Sequence, residues 1–386
     1  MTEASYWFRE IPEEKRFPTL AGEKQVDVAI IGGGIAGVSA AYFLSGQGIK
    51  TALLEMGTIG SGDSGYTTAF ATHFLDSTEA TLRAWDASEE GIRLFKKLIV
   101  NEGIECDWED IKGVGFTKKE STEEFRKEIS LYPNKNNDLQ YEEGAGASNG
   151  IINFPVGARF STKNSEGQFH IRKLLLTLAE RASKKGALLH EESEVIKIGK
   201  SGLHFSVETD TGRIVAEKLI IASGPPPQQF FPEVFSLLKG AITYVIHVSY
   251  KEGAPFGRAL FWDDLEPYHY FRWLNKTDLI LGGEDKFLNE TRNSKPHEEL
   301  TSWLKEISGE ATFQVINKWQ GTIFYTPDVL PLVGPHPAYG DQTIFLTGWG
   351  GNGMAHGLLA GQIAADLIQK KKNPYEELFS FNRLKV

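Results

Sequence analysis

Val26-Asp27-Val28-Ala29-Ile30-Ile31-Gly32-Gly33-Gly34-Ile35-Ala36-Gly37 is an apolar strand that runs into G-x-G-x-x-G. A helical run, Val38-Ser39-Ala40-Ala41-Tyr42-Phe43-Leu44, follows at once. A second strand, Lys50-Thr51-Ala52-Leu53-Leu54-Glu55, ends on an acid. Together these parts read as a β-α-β unit that binds a dinucleotide. Gly32 allows the tight turn out of the strand. Gly34, with no side chain, lets a pyrophosphate approach the backbone. Gly37 lets the helix pack close to the sheet, and free N–H groups at the helix start face the phosphates. Glu55 lies eighteen residues past Gly37, where a carboxylate accepts hydrogen bonds from a ribose 2′-OH. The preceding strand, the following helix and the terminal acid agree, which makes the signal more specific than the glycines alone.

Outward from this unit, Gly57-Thr58-Ile59-Gly60-Ser61-Gly62-Asp63-Ser64-Gly65-Tyr66-Thr67-Thr68-Ala69 is a loop rich in small residues. Helical periodicity returns over 77–100, and Asn134-Lys135-Asn136-Asn137-Asp138 is a polar turn. A helix over 171–180 precedes strands over 187–190 and 194–198. Strands over 204–208 and 213–216 form a hairpin around Thr209-Asp210-Thr211-Gly212. A buried strand over 218–224 ends in small residues before Pro225-Pro226-Pro227. The stretch 239–321 is rich in strands and aromatics, with helical periodicity only near 297–307. A strand over 343–347, a glycine-rich loop and a helix over 355–370 then return to the nucleotide-binding fold. The expected organisation is a discontinuous nucleotide-binding domain over 1–80, 150–238 and 325–386. A mainly antiparallel substrate domain over 81–149 and 239–324 is inserted in it.

The chain has 386 residues, enough for about two or three domain-sized units. Its composition, 41% hydrophobic and 24% charged, is that of an ordinary globular protein. A net charge of -10 argues against nucleic-acid binding, which needs clustered Lys and Arg. One cysteine, Cys106, excludes an intramolecular disulfide, a CxxC redox pair and an iron–sulfur cluster held by this sequence. A buried, inert thiol is expected there. No apolar run reaches the length of a membrane span. Met1-Thr2-Glu3-Ala4-Ser5-Tyr6-Trp7-Phe8 has neither the basic start nor the apolar core of a secretory signal, so a cytoplasmic location is expected.

Two further segments carry candidate chemistry. Gly348-Trp349-Gly350-Gly351-Asn352-Gly353-Met354 places four glycines before a helix. Such a backbone can lie against a flat ligand, and the helix start stabilises negative charge such as that near N1 and C2=O of a reduced flavin. The plain alternative is an ordinary turn with glycine at its bends. Tyr268-His269-Tyr270-Phe271-Arg272-Trp273 alternates across a strand, so Tyr268, Tyr270 and Arg272 share one face. That face is either the wall of a substrate pocket or part of an aromatic sheet core with Arg272 in an ion pair. The nine histidines show no helical ligand spacing, so no metal is inferred. His356, just inside the last helix, is either near the cofactor or a half-buried helix residue.

On these residues the chain resembles the FAD-dependent D-amino acid oxidase (DAO) superfamily, which includes glycine oxidase, sarcosine oxidase and gamma-glutamylputrescine oxidase. The resemblance extends over nearly the whole chain. Tyr6-Trp7 with Pro18-Thr19-Leu20-Ala21-Gly22 is similar to the opening segment of gamma-glutamylputrescine oxidases. Gly60-Ser61-Gly62-Asp63-Ser64-Gly65 is similar to the family's flavin-contacting GxGxSG loop. Thr326-Pro327-Asp328-Val329-Leu330-Pro331-Leu332-Val333-Gly334 matches its T-x-D-x-x-P-x-x-G signature. Thr67-Thr68-Ala69, Pro267 to Arg272, Gly282-Gly283-Glu284-Asp285 and Asn352-Gly353-Met354 resemble a branch often fused to a Rieske domain. That Rieske part is expected to be absent here, since the sequence has no Cys/His cluster.

The resemblance implies a Rossmann-like α/β FAD-binding domain of the glutathione-reductase type. The expected cofactor-binding residues are Gly32, Gly34, Ile35, Ala36, Gly37, Glu55 and Met56 in the first unit. Ser61, Gly62, Ser64, Thr67 and Thr68 follow in the loop. Val195, Ala222 and Gly224 come from strand ends, and Gly348, Gly351, Asn352, Gly353 and Met354 from the last loop. Tyr268, Tyr270, Arg272 and His356 are the candidate catalytic residues.

Departures from the family pattern narrow the expectation. Ile323 stands where glycine oxidase-like relatives carry a carboxylate-binding arginine. No cysteine occurs in Gly321-Thr322-Ile323-Phe324-Tyr325, and Thr67-Thr68-Ala69 offers no histidine, so FAD is expected to be noncovalent. Ile280 falls near the oxygen-activating lysine of sarcosine oxidases. The expected activity is hydride transfer from an amine or amino-acid-like substrate to flavin N5, by a dehydrogenase with a separate Rieske- or ferredoxin-type acceptor. The alternatives are an oxidase that makes hydrogen peroxide, and an FAD-containing binding or assembly subunit without turnover.

Overall fold

The strand read from Val26 begins at Gly22 and runs to Ile31. It lies between Gly212–Ile221 and Thr51–Leu54 and is parallel to both. Parallel strands need cover on both faces. Val28 and Ile30 enter one core with the helices Ile35–Ser45, Ile171–Lys184 and Gly353–Ile368. Ala29 and Ile31 enter another with Leu219, Ile221 and Phe345. The structure is a computed structural model and describes residues 3–134, 138–148, 152, 154–253, 255–291 and 294–384. Residues 135–137 of the polar turn, and the domain boundary at 149/150, lie outside the described residues.

The first sheet runs in the order Lys197–Ser201, His204–Glu208, Gly212–Ile221, Gly22–Ile31, Thr51–Leu54, Leu188–His190. Two strands expected over 213–216 and 218–224 form one, because Gly212–Ile221 pairs along its whole length with Gly22–Ile31. Its other edge is shared. His204–Glu208 pairs antiparallel with the first part, and Thr343–Thr347 pairs parallel with the last part. The strand expected over 194–198 forms at Lys197–Ser201, where it can pair with His204–Glu208.

The second sheet runs Phe313–Tyr325, Lys239–Tyr250, Asp278–Phe287, His269–Trp273, Leu260–Asp263, Gly113–Thr117, Ala158–Ser161, Gln140–Glu143. It is antiparallel except where Leu260–Asp263 meets Gly113–Thr117. Ala158–Ser161 lies beyond the expected boundary at 150, drawn in by pairing on both edges.

Helices join the two sheets. Thr78–Glu102 starts at Ser77, whose side chain accepts a hydrogen bond from Ala80 N, and ends at Gly103 in the left-handed region. An added Cβ at Gly91 on this helix would lie 2.6 Å from the Ala355 carbonyl oxygen. On the last helix, an added Cβ at Gly357 would lie 2.7 Å from Ile35 Cγ2, and one at Gly361 2.4 Å from Ser39 Cβ. These small residues bring the last helix directly onto the helix that follows the G-x-G-x-x-G turn. That packing places the two glycine loops side by side. Among the described residues no helix is long and apolar enough to cross a membrane.

Candidate active site

The turn at Gly32 is built around two demands. Its φ is +111°, and an added Cβ would lie 2.4 Å from the Ala222 carbonyl oxygen. Glycine therefore serves both conformation and close approach to the neighbouring strand end. Gly37 is tighter still, since a Cβ there would lie 1.9 Å from the Gly32 carbonyl oxygen. Gly34 caps the helix Ile35–Ser45. Ile35 N donates to Ser64 Oγ at 3.1 Å. The next N–H groups, of Ala36 and Gly37, have no acceptor within the helix.

Glu55 bridges this turn to the following loop. Its Oε2 accepts from Gly33 N at 2.6 Å and its Oε1 from Gly57 N at 2.8 Å. Burial raises its pKa against the opposing pull of these N–H groups. With Met56 N–H as a further donor, the carboxylate still keeps acceptor capacity for a ribose hydroxyl.

The loop past Gly60 is held by a row of side chains. Five consecutive carbonyls accept side-chain hydrogen bonds. Ser5 Oγ donates to Gly65 O, Trp319 Nε1 to Tyr66 O, and Trp7 Nε1 to Thr67 O. Arg272 Nη1 donates to Thr68 O and Ala69 O. This fixes Thr67 and Thr68 against the site. Asp63 Oδ1 accepts from Thr322 N at 3.2 Å, and burial pushes its pKa up to about 6 against the pull of that N–H.

The last helix begins at Gly353, two residues earlier than expected, with Asn352 as its cap residue. Asp76 meets this helix start. Its Oδ2 accepts from Gly351 N at 2.8 Å and its Oδ1 from Asn352 Nδ2 at 3.2 Å. A carboxyl group thus already meets this helix start, and burial raises its pKa against the pull of these donors.

Both glycine loops line one cavity of about 300 Å³. Its wall takes in Gly32, Gly34, Ile35, Ala36, Glu55, Met56, Gly62, Ser64, Thr67 and Thr68. Val195, Ala222, Gly224, Gly348, Gly351, Gly353 and Met354 line it from the other elements. Tyr268 and Tyr270, stacked at 5.6 Å, stand at its far side. Tyr270 lies over Gly282 across the sheet, where an added Cβ would sit 2.4 Å from the ring. Its hydroxyl is 2.9 Å from Thr243 Oγ1, and Tyr268 OH donates to Asp285 Oδ2 at 3.1 Å. Burial raises the pKa of both tyrosines, which stay protonated, and pushes Asp285 up to about 6. A second chamber of about 370 Å³ adjoins this end.

Some expected site residues sit elsewhere. Gly37 packs beneath the turn. Ser61 Oγ accepts from Thr58 N within its own loop. Asn352 lines the adjoining chamber. Two of the candidate catalytic residues need correction. Arg272 lines neither cavity, because the strand carries it past the site and its Nη1 holds the carbonyls of Thr68, Ala69 and Phe169. His356 is buried on the packed face of its helix, with Nε2 3.0 Å from Ser88 Oγ and its ring against Phe379. Burial holds its pKa down to about 4, so it is neutral. Sequence reasoning missed the roles of Asp63 and Thr322, although both lie in quoted segments. For Asp76 and Thr243 the sequence carries no local signal. Among the described residues no three His, Cys, Asp or Glu side chains come together as metal ligands.

The family model described as FAD dependent oxidoreductase (DAO) matches residues 27–367. The putative Rieske 2Fe-2S iron-sulfur protein YhfW of Bacillus subtilis is 25% identical, over 98% of this chain and 75% of its own length. Glycine oxidase of Bacillus licheniformis is 27% identical, over 89% of this chain and 93% of its own. Among solved structures, glycine oxidase from Geobacillus kaustophilus superposes with a TM-score of 0.79. It is 22% identical, with 93% of this chain and 99% of that one covered.

Proposed function

The chain belongs to the DAO family of FAD-dependent oxidoreductases, and from that premise we propose that it is a dehydrogenase of amines or amino-acid-like compounds. It holds FAD noncovalently and passes the electrons to a separate acceptor. The observation that carries the reading is one cavity with both glycine loops in its wall, Glu55 among its lining and the Tyr268–Tyr270 pair at its far side.

These residues fit the cofactor. Gly33 and Gly34 form a cradle that side chains would fill, since Cβ atoms there would meet Ile59 Cδ1 at 2.8 Å and Ser64 Oγ at 3.0 Å. Glu55 would take the ribose, the Gly32–Gly37 turn the pyrophosphate, and Thr67, Thr68 and the Gly348–Met354 loop the flavin. When bound, FAD would supply a two-electron acceptor for hydride from the carbon beside the substrate nitrogen, and water would hydrolyse the imine product. The chain itself supplies position and a dry wall. Protonated Tyr268 and Tyr270 offer hydrogen bonds, and Asp285 holds or releases a proton near neutral pH.

None of the nine histidines lines the cavity, and neither does Cys106. Denaturing the yellow protein is therefore expected to release its flavin into the supernatant. Flavin that stays with the precipitate would overturn noncovalent binding.

Electron exit is testable separately. Ile280, near the position of the oxygen-activating lysine of sarcosine oxidases, is wholly buried in Asp278–Phe287. Among the described residues no lysine lines either cavity. The Rieske name of the YhfW relative supports an iron–sulfur acceptor for this chain too. After anaerobic reduction by substrate, stopped-flow mixing is expected to show slow reoxidation by O2 and rapid reoxidation by an acceptor dye. Fast reoxidation by O2 with stoichiometric hydrogen peroxide would establish an oxidase instead.

A further inference from the structure

We infer that the second chamber selects a positive charge, so that the substrate is a cationic amine rather than an amino carboxylate; this rests on the amine-oxidising reading above. The chamber shares Thr67, Thr68, Tyr268, Tyr270, Gly351 and Met354 with the cofactor cavity, so whatever fills it reaches the same tyrosine pair. Its lining includes the acids Asp76, Glu128, Asp264 and Glu266, with Asp263 buried against His269 beside them. Among the described residues no Lys, Arg or His lines either cavity.

Asp263 is set apart from the others by its pairing with His269 Nδ1 at 2.8 Å. Two of the remaining acids already have neutral donors: Glu128 accepts from Thr78 Oγ1 at 2.8 Å, and Asp264 Oδ2 accepts from Thr117 Oγ1 at 2.6 Å. Neutral donors satisfy hydrogen bonds but leave the negative charge uncompensated. Behind Tyr268, Asp285 adds another carboxylate, and its Oδ1 is buried without a hydrogen-bond partner. Crowded carboxylates without a counter-cation are costly unless protons or a bound cation neutralise them. A substrate ammonium does this and gains from each acid.

Aromatic faces complete the fit. Phe74, Tyr132, Phe160 and Trp262 line the chamber, with Phe74 5.0 Å from both Phe160 and Trp262. Ring faces attract cations, more strongly where water is excluded. A substrate carboxylate would enter among like charges and find no arginine. Ile323 lines the cofactor cavity, and Arg272 is spent on backbone carbonyls. Exclusion of the wrong charge is as much a part of specificity as attraction of the right one.

The test uses the flavin-loaded protein and two unreactive probes of similar shape and opposite charge, benzyltrimethylammonium and benzoate. Binding is read from tryptophan fluorescence and flavin absorbance at constant ionic strength. The cation is expected to bind at least tenfold more tightly. Asp264→Asn with Glu266→Gln is expected to weaken the cation about tenfold while FAD content and Tm stay unchanged. Benzoate binding as tight as the cation, or a variant indifferent to the change, would overturn the inference. An anaerobic panel of monoamines, diamines and α-amino acids separates it from the activity. Bleaching by α-amino acids together with tight benzoate binding keeps the amine-oxidising reading and overturns the charge selection. Tight cation binding with no bleaching by any compound upholds the charge selection and overturns the activity.

Discussion

Gly37→Val is expected to give a protein that no longer loads flavin and melts well below the wild type. The added Cβ alone would lie 1.9 Å from the Gly32 carbonyl oxygen and 3.4 Å from Ala222 Cβ. The first clash is with backbone, so no rotamer relieves it. Either the Ile35–Ser45 helix shifts or the turn at Gly32 opens, and both spoil the cradle. Overpacking typically costs about 1–3 kcal/mol, and a backbone clash this short belongs at or above the top of that range. A fall in Tm of about 5 °C or more is expected. Gly199→Ala is the control, because a Cβ there meets nothing within 4 Å and its φ is not positive. The ratio of flavin to protein absorbance, with a calorimetric melt, decides the matter. A Gly37→Val protein with full flavin content would show that the turn does not form part of the cofactor site.

Arg272→Met is expected to cost stability rather than substrate recognition. The guanidinium is buried, and Nη1 donates to Thr68 O at 3.1 Å, Ala69 O at 2.7 Å and Phe169 O at 3.2 Å. Burial, with Arg258 nearby, pulls its pKa down to about 9, so it remains charged at neutral pH. Methionine would leave three carbonyls without their donor. Hydrogen bonds to a charged group are each worth about 1.5–3 kcal/mol, so a loss of at least about 3 kcal/mol is expected. The Thr67–Thr68 loop should loosen with it, and flavin should dissociate more readily. Arg272→Lys keeps a charge and three donors, and should recover part of the loss. Thermal melts with flavin-release measurements check this. An Arg272→Met protein with wild-type Tm and a kcat/KM that has collapsed per bound flavin would return Arg272 to the substrate pocket.

Much of the fold was legible because its signals are local. The apolar strand, the glycine turn and the helix lie within one short stretch, and each has a single physical explanation. The helix over 171–180, the strand over 343–347 and the start of the long helix at Ser77 follow from local apolar patterning. Errors came where pairing partners decide. Gly212–Ile221 reads as two strands until Gly22–Ile31 is laid alongside it. Ala158–Ser161 joins the second sheet only through contacts distant in the chain.

The sequence by itself determined the dinucleotide-type β-α-β unit, the family resemblance and the two glycine loops, because glycines next to regular elements leave few alternatives. It also put Tyr268, Tyr270 and Arg272 on one strand face, since alternation follows from the pleat. Only the tertiary structure decided how far along that face the site extends. The strand passes beneath the Thr67–Thr68 loop, so the two tyrosines line the cavity while Arg272 is consumed by carbonyls. Likewise, nothing local marks Asp76 as the acid at the last helix start. The chamber's acids come from several separate segments. Their common sign has meaning only once folding gathers them around one space with no Lys, Arg or His in its described lining, because charge compensation depends on distance and not on order in the chain.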